Sequence, residues 1–149
     1  MNDVKLFTDG SVNTKSNVGY GAYLFISEQE FSLDKLKPQV KLKRFEETSS
    51  TKLELQILLW ALSNLHLSED KIMIYTDSQN IISLPDRRER LEKNNYSSKN
   101  NKLIKNYKLY QEFYKITDKI ECKFIKISGH KKSNQKDKID QIFTLVDRA

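Results

Sequence analysis

Apolar and polar residues alternate over residues 3–9 (DVKLFTD), and 18–27 (VGYGAYLFIS) is a mostly apolar run rich in aromatic and branched residues; both read as strands. A turn rich in Asn, Ser and Gly separates them, and Gly19 and Gly21 inside the second segment predict a bulge or a close backbone approach. Residues 39–47 (QVKLKRFEE) alternate as a third strand, with Pro38 just ahead of it where a missing N–H costs no ladder bond. Three such neighbours predict an antiparallel meander. The period then changes. In TSSTKLELQILLWALSNLHL (48–67), Leu53, Ile57, Trp60, Ala61 and Asn64 recur at helical spacing, Leu58 and Leu62 widen the stripe, and Ser49 to Thr51 supply N-caps. Residues 71–79 (KIMIYTDSQ) form a short apolar strand, and a helix starting at Ser78 is expected to stop at Pro85. Over 101–117, Leu103, Ile104, Tyr107, Tyr110, Phe113 and Tyr114 fall on one side of a helix; 120–127 (IECKFIKI) is a last strand and 139–146 (IDQIFTLV) belongs to a closing helix. The order β-β-β-α-β-α-α-β-α predicts an α/β domain with a five-stranded mixed sheet flanked by helices. Strands 1 to 3 are antiparallel in this scheme, and strands 1, 4 and 5 parallel.

Composition narrows the class without changing the fold. At 149 residues the chain is expected to be one domain, and 38% hydrophobic with 31% charged residues fits a globular chain. No apolar run approaches the roughly 20 residues of a spanning helix, and the N-terminus lacks the basic-then-apolar layout of a signal peptide. The single cysteine, Cys122, excludes an internal disulfide and a Cys-based zinc site, so a reducing cytoplasm is the expected location. The net charge of +6 points to a polyanion partner. Its distribution says more: between Asp86 and Lys108 eight basic residues face three acids, and a second basic cluster runs from Lys123 to Lys138.

The candidate chemistry lies in acids at strand ends. Asp9 closes the first strand in FTDGS and Asp77 the fourth in YTDSQ. In a parallel pair both emerge at the carboxyl edge, where ligands bind in open α/β sheets. Glu54, in the first turn of the long helix, sits between apolar Leu53 and Leu55 and points to solvent or to a cation. Clustered carboxylates repel and favour protonation. A hard divalent cation with oxygen ligands, Mg²⁺ above all, relieves the conflict, and two such ions suit phosphoryl displacement.

With FTDGS, TKLELQILLWAL, IYTDSQ, SGH and IKNYKLYQEF in this order, the chain resembles the type 1 ribonuclease H family over nearly its whole length, a single domain over 1–149. The resemblance implies hydrolysis of the RNA strand of RNA–DNA hybrids by a two-metal mechanism with Mg²⁺, or Mn²⁺, leaving 5′-phosphate and 3′-hydroxyl ends. It makes Asp9, Glu54 and Asp77 three of four metal ligands, and His130 a loop histidine that aids water activation or product release. For the fourth carboxylate it leaves two candidates. Asp140 in KIDQIF has the usual spacing from the histidine, while Asp147 in LVDRA resembles the same motif and is slightly preferred. Seven residues apart, they share nearly one helix face, so periodicity does not choose.

Substrate contacts follow from the same resemblance. Gly10, Ser11 and Gln79 stand beside the metals to meet the RNA strand. Ser49, Ser50 and Thr51 replace the family's usual Thr-Asn-Asn, with hydroxyls in place of amides. The stretch with Arg87, Arg88, Lys99, Lys102 and Lys105 would hold the phosphates of the DNA strand, in a protein expected to act as a monomer. Two other readings stand beside this one: a nuclease or recombinase of the same fold acting on DNA, and a catalytically silent hybrid-binding module.

Overall fold

The structure is a computed structural model, and it describes residues 4–26, 32–65, 71–127 and 138–147. Five strands, β1 (Val4–Asn13), β2 (Val18–Ile26), β3 (Lys41–Phe45), β4 (Ile72–Thr76) and β5 (Cys122–Lys126), form one sheet in the order β3-β2-β1-β4-β5. β1, β2 and β3 pair antiparallel; β1, β4 and β5 pair parallel. Among the described residues the helices are α1 (Leu33–Leu36), α2 (Ser50–Ser63), α3 (Gln79–Lys93), α4 (Tyr107–Lys119) and α5 (Lys138–Asp147).

The alternation along β1 builds two cores. Leu6 faces one side and joins Leu53, Ile57, Leu58, Ile81, Leu84 and Phe113 beneath α2, α3 and α4. Phe7 faces the other and packs with Leu24, Tyr75, Ile142 and Val146 beneath α5. Placing helices on both faces buries both sides of the central strands. Gly10 and Gly21 oppose each other across β1 and β2, so the strands continue through the glycines without a bulge. They are there for space: a Cβ on Gly21 would meet Ile57 of α2 at 2.2 Å, and one on Gly10 would meet it at 2.5 Å. Of the two expectations for this segment, close approach holds.

Four expectations change. β1 does not close at Asp9 but runs on to Asn13, because residues 9–13 keep their pairing with β2. α3 does not stop at Pro85 but carries it inside and runs on to Lys93. An internal proline costs about 3 kcal/mol, and tertiary packing offsets it. Ile81 and Leu84 are fully buried, Tyr114 donates from its hydroxyl to the Leu84 carbonyl at 2.6 Å, and Arg88 grips Asp118 of α4 at 2.5 and 2.8 Å. Leu103 does not join the buried side of α4; it is 54% exposed, because Asn106 takes a left-handed φ of 68° and the helix begins only at Tyr107. Between β2 and β3 the short helix α1 and a 3₁₀ turn (Lys37–Gln39) arise, where the sequence pattern marks only Pro38.

Candidate active site

β1 brings Asp9 to the carboxyl half of the sheet, where it pairs with Ala22 and remains 7% exposed. β4 ends at Thr76, and Asp77 follows directly as the chain turns into α3, which Ser78 caps by accepting from the Ile81 amide at 3.3 Å. Glu54 comes from the first turn of α2, whose start is set by Ser49 accepting from the Lys52 amide. Carboxylate oxygens of Asp9, Glu54 and Asp77 all lie within 4.8 Å of one another. Three separate elements therefore converge on one point: the middle of β1, the residue after β4 and the first turn of α2.

Electrostatics show what the point lacks. Burial, then a side-chain contact with Asp147, then the charges of Asp77 and Glu54 push the Asp9 carboxyl up to about 9. Burial and the charge of Asp77 push Glu54 up to about 8. Glu54 Oε2 is buried with no hydrogen-bond partner among the described residues. An all-oxygen donor set with an orphaned buried oxygen and strong mutual repulsion fits a hard divalent cation, which supplies the missing positive charge.

α5 separates the two late acids. Asp147, at its last turn, is exposed and lies within hydrogen-bond reach of Asp9. Asp140, in its first turn, is buried, about 10 Å away along the helix axis. His130 lies outside the described residues.

The expected substrate-contacting residues form two groups. Ser11, Ser50, Thr51 and Gln79 are exposed near them, and Gly10 is packed against α2. Lys126 of β5 donates to Gln79 Oε1 at 2.7 Å, a contact between elements that reading along the chain could not reveal. Farther out, the end of α3 and the loop after it, closed by the Ser97–Leu103 bridge, enclose a groove of about 640 Å³ lined by Arg87, Arg90 and Lys99 with Asn94 and Ser98. Lys102 and Lys105 are exposed. Arg88 is engaged within the chain, between Glu92 and Asp118 and over the Tyr114 ring.

The family model described as RNase H matches residues 1–144. The chain belongs to the RNase H family. Among its curated relatives, Ribonuclease H of Clostridium botulinum is 28% identical over 148 residues, covering 95% of this chain and 93% of the relative. Ribonuclease H of Acetivibrio thermocellus is 24% identical over 147 residues, covering 97% and 94%. With that family membership and those relatives, the chain is a ribonuclease H enzyme. A solved foamy viral protease-reverse transcriptase in complex with dsDNA shares the fold at a TM-score of 0.68 and 11% identity, over 99% of this chain and 93% of that one. The RNase H match includes Asp140 and ends before Asp147, although Asp147 is the acid beside Asp9.

Proposed function

We propose that this RNase H is an endoribonuclease that hydrolyses the RNA strand of RNA–DNA hybrids and leaves 5′-phosphate and 3′-hydroxyl ends. The convergence of Asp9, Glu54 and Asp77 on one point, with Asp147 against Asp9, carries the proposal. These four residues would hold two divalent cations, Mg²⁺ or Mn²⁺. Bound there, the ions would make the attacking water acidic and neutralise the departing 3′ oxygen.

The chain's own work is placement. β1 is a rigid mount for Asp9, buried on both sides, and α2 and α5 deliver Glu54 and Asp147 to it from opposite faces. Asp140, buried in the first turn of α5, is read as structural. Ser11, Ser50, Thr51 and Gln79, all exposed, would meet the RNA strand, and Arg87, Lys99, Lys102 and Lys105 the DNA phosphates, a reading that the exposure of the lysines and the groove lined by Arg87 and Lys99 support. Arg88 is assigned instead to bracing α3 against α4. His130 keeps the role of assisting water activation or product release. The one sheet with its two cores supports reading 1–149 as a single domain; a monomer in the cytoplasm is the setting we infer. Among the described residues no helix is long and apolar enough to cross a membrane.

End-labelled RNA–DNA hybrid, single strands, duplex RNA and duplex DNA, each with and without Mg²⁺, test the reading. Metal-dependent cleavage confined to the RNA of the hybrid is expected. Cutting of duplex DNA alone would reassign the chain, and tight hybrid binding with no turnover in Mg²⁺ or Mn²⁺ would make it a binding module.

A further inference from the structure

The sheet face that carries Asp9 continues past it. Side chains two apart on a strand share a face, so Ser11 points the same way as Asp9. The register sets Ser11 opposite Tyr20 and Tyr20 opposite Arg44, one row out from Asp9, Ala22 and Leu42. α5 covers the inner rows through Phe7, Ala22 and Leu24, and its last residue is Asp147. In the outer part of the face Tyr20 is 50% and Leu42 55% exposed. Here a groove of about 610 Å³ opens, lined by Ser11, Asn13, Ser16, Tyr20 and Arg44 among others.

The groove has the chemistry of a nucleotide site. Arg44 donates to Glu46 and reaches the Tyr20 hydroxyl, but a guanidinium carries five N–H donors and keeps some for a ligand. Both members of the Arg44–Glu46 pair are well exposed, so the pair holds weakly and a phosphate can displace the carboxylate. Asn13 spends its Oδ1 on the amides of Lys15 and Ser16, which leaves its Nδ2 donor to offer. The half-exposed Tyr20 ring is a stacking platform indifferent to base identity. Two residues of strand span about 6.8 Å, room for the neighbour of a nucleotide held at Asp9.

We propose that this groove binds one nucleotide of the cleaved strand, adjacent to the one whose phosphate is attacked, with Arg44 on its phosphate and the Tyr20 ring against its sugar or base. The proposal rests on the hybrid-cleaving function above. Continuity with Asp9 on one sheet face and the positive charge of Arg44 select this occupant.

Steady-state cleavage of a labelled hybrid over a range of salt tests it with the full chain. Arg44→Gln should raise KM about five- to tenfold with kcat within about twofold, and make log KM less salt-dependent by about 0.7–0.9. Arg44→Lys should restore the salt slope. Glu46→Gln, which removes the competing carboxylate, should lower KM, and Tyr20→Leu should raise it without altering the slope. A wild-type KM and slope in Arg44→Gln overturn the subsite alone and leave the groove to another occupant. Matching losses of kcat and thermal midpoint in both Arg44→Gln and Tyr20→Leu assign a structural role and overturn it too. Absence of any Mg²⁺- or Mn²⁺-dependent hybrid cleavage by the wild-type chain overturns the parent function, and the subsite with it.

Discussion

Asp9, Glu54 and Asp77 repel one another across less than 4.8 Å, and burial adds to the cost of charging the first two. An unfolded Asp or Glu ionises near pH 4, whereas Asp9 and Glu54 ionise only near 9 and 8 in the folded chain. Between those limits the folded state binds more protons, so metal-free stability falls as pH rises from about 4 to about 9. Asp9→Asn removes one such group. In EDTA it should melt above the wild type at pH 8 by about 2–4 °C for each kcal/mol relieved, and match it near pH 4; equal melting at both pH values would contradict the burial argument. The same variant should lose cleavage entirely yet bind hybrid with nearly wild-type affinity, measured by fluorescence anisotropy, and full activity would remove Asp9 from the metal set. Asp77 and Glu54 are legible along the chain because one follows a strand end and the other opens a helix, whereas Asp9 lies inside β1 and stands out as a carboxylate on a strand that reads as buried. The pairing of Asp147 with Asp9 is not legible, because two acids seven residues apart look alike to a helical period.

At the scale of elements, α2 lies close on the sheet because Gly10 and Gly21 leave room for Ile57. Gly21→Ala should destabilise the chain by about 1–3 kcal/mol in urea unfolding. In a double-mutant cycle with Ile57→Ala the two losses should sum to less than their separate costs, since the clash disappears with the side chain; strict additivity would place the damage elsewhere. Ser49 caps α2 just ahead of Glu54, and Ser49→Ala should cost about 1 kcal/mol and lower the thermal midpoint. The period marks an element plainly where it runs unbroken, as in α2. Errors came where a local breaker met stronger tertiary contacts. Pro85 reads as a stop, but buried Leu84 and the Arg88–Asp118 grip carry α3 through it. Leu103 reads as core, but the left-handed Asn106 detaches it from α4.

For the whole molecule, a cation held by the unfavourable cluster of acids would couple its binding to the fold. Divalent cation binding must expel protons from Asp9 and Glu54, so it should strengthen with pH and release protons on binding. Saturating Mg²⁺ should raise stability by about 1–3 kcal/mol at pH 8 and by much less at pH 5.5, as scanning calorimetry would register; no shift at either pH would separate the acids from any metal. The sequence by itself determined the five strands and the longer helices, the cover of the sheet on both faces, the three candidate acids and the basic stretch through the end of α3 and the loop after it, because each follows from a local period or from residue type. Only the tertiary structure decided that Asp147 rather than Asp140 stands beside Asp9, that Lys126 holds Gln79, and that Ser11, Tyr20 and Arg44 form one row. Those facts depend on how far α5 slides along the sheet and on the register between strands. Both are set by side chains distant in sequence packing together, which no period along a single segment encodes.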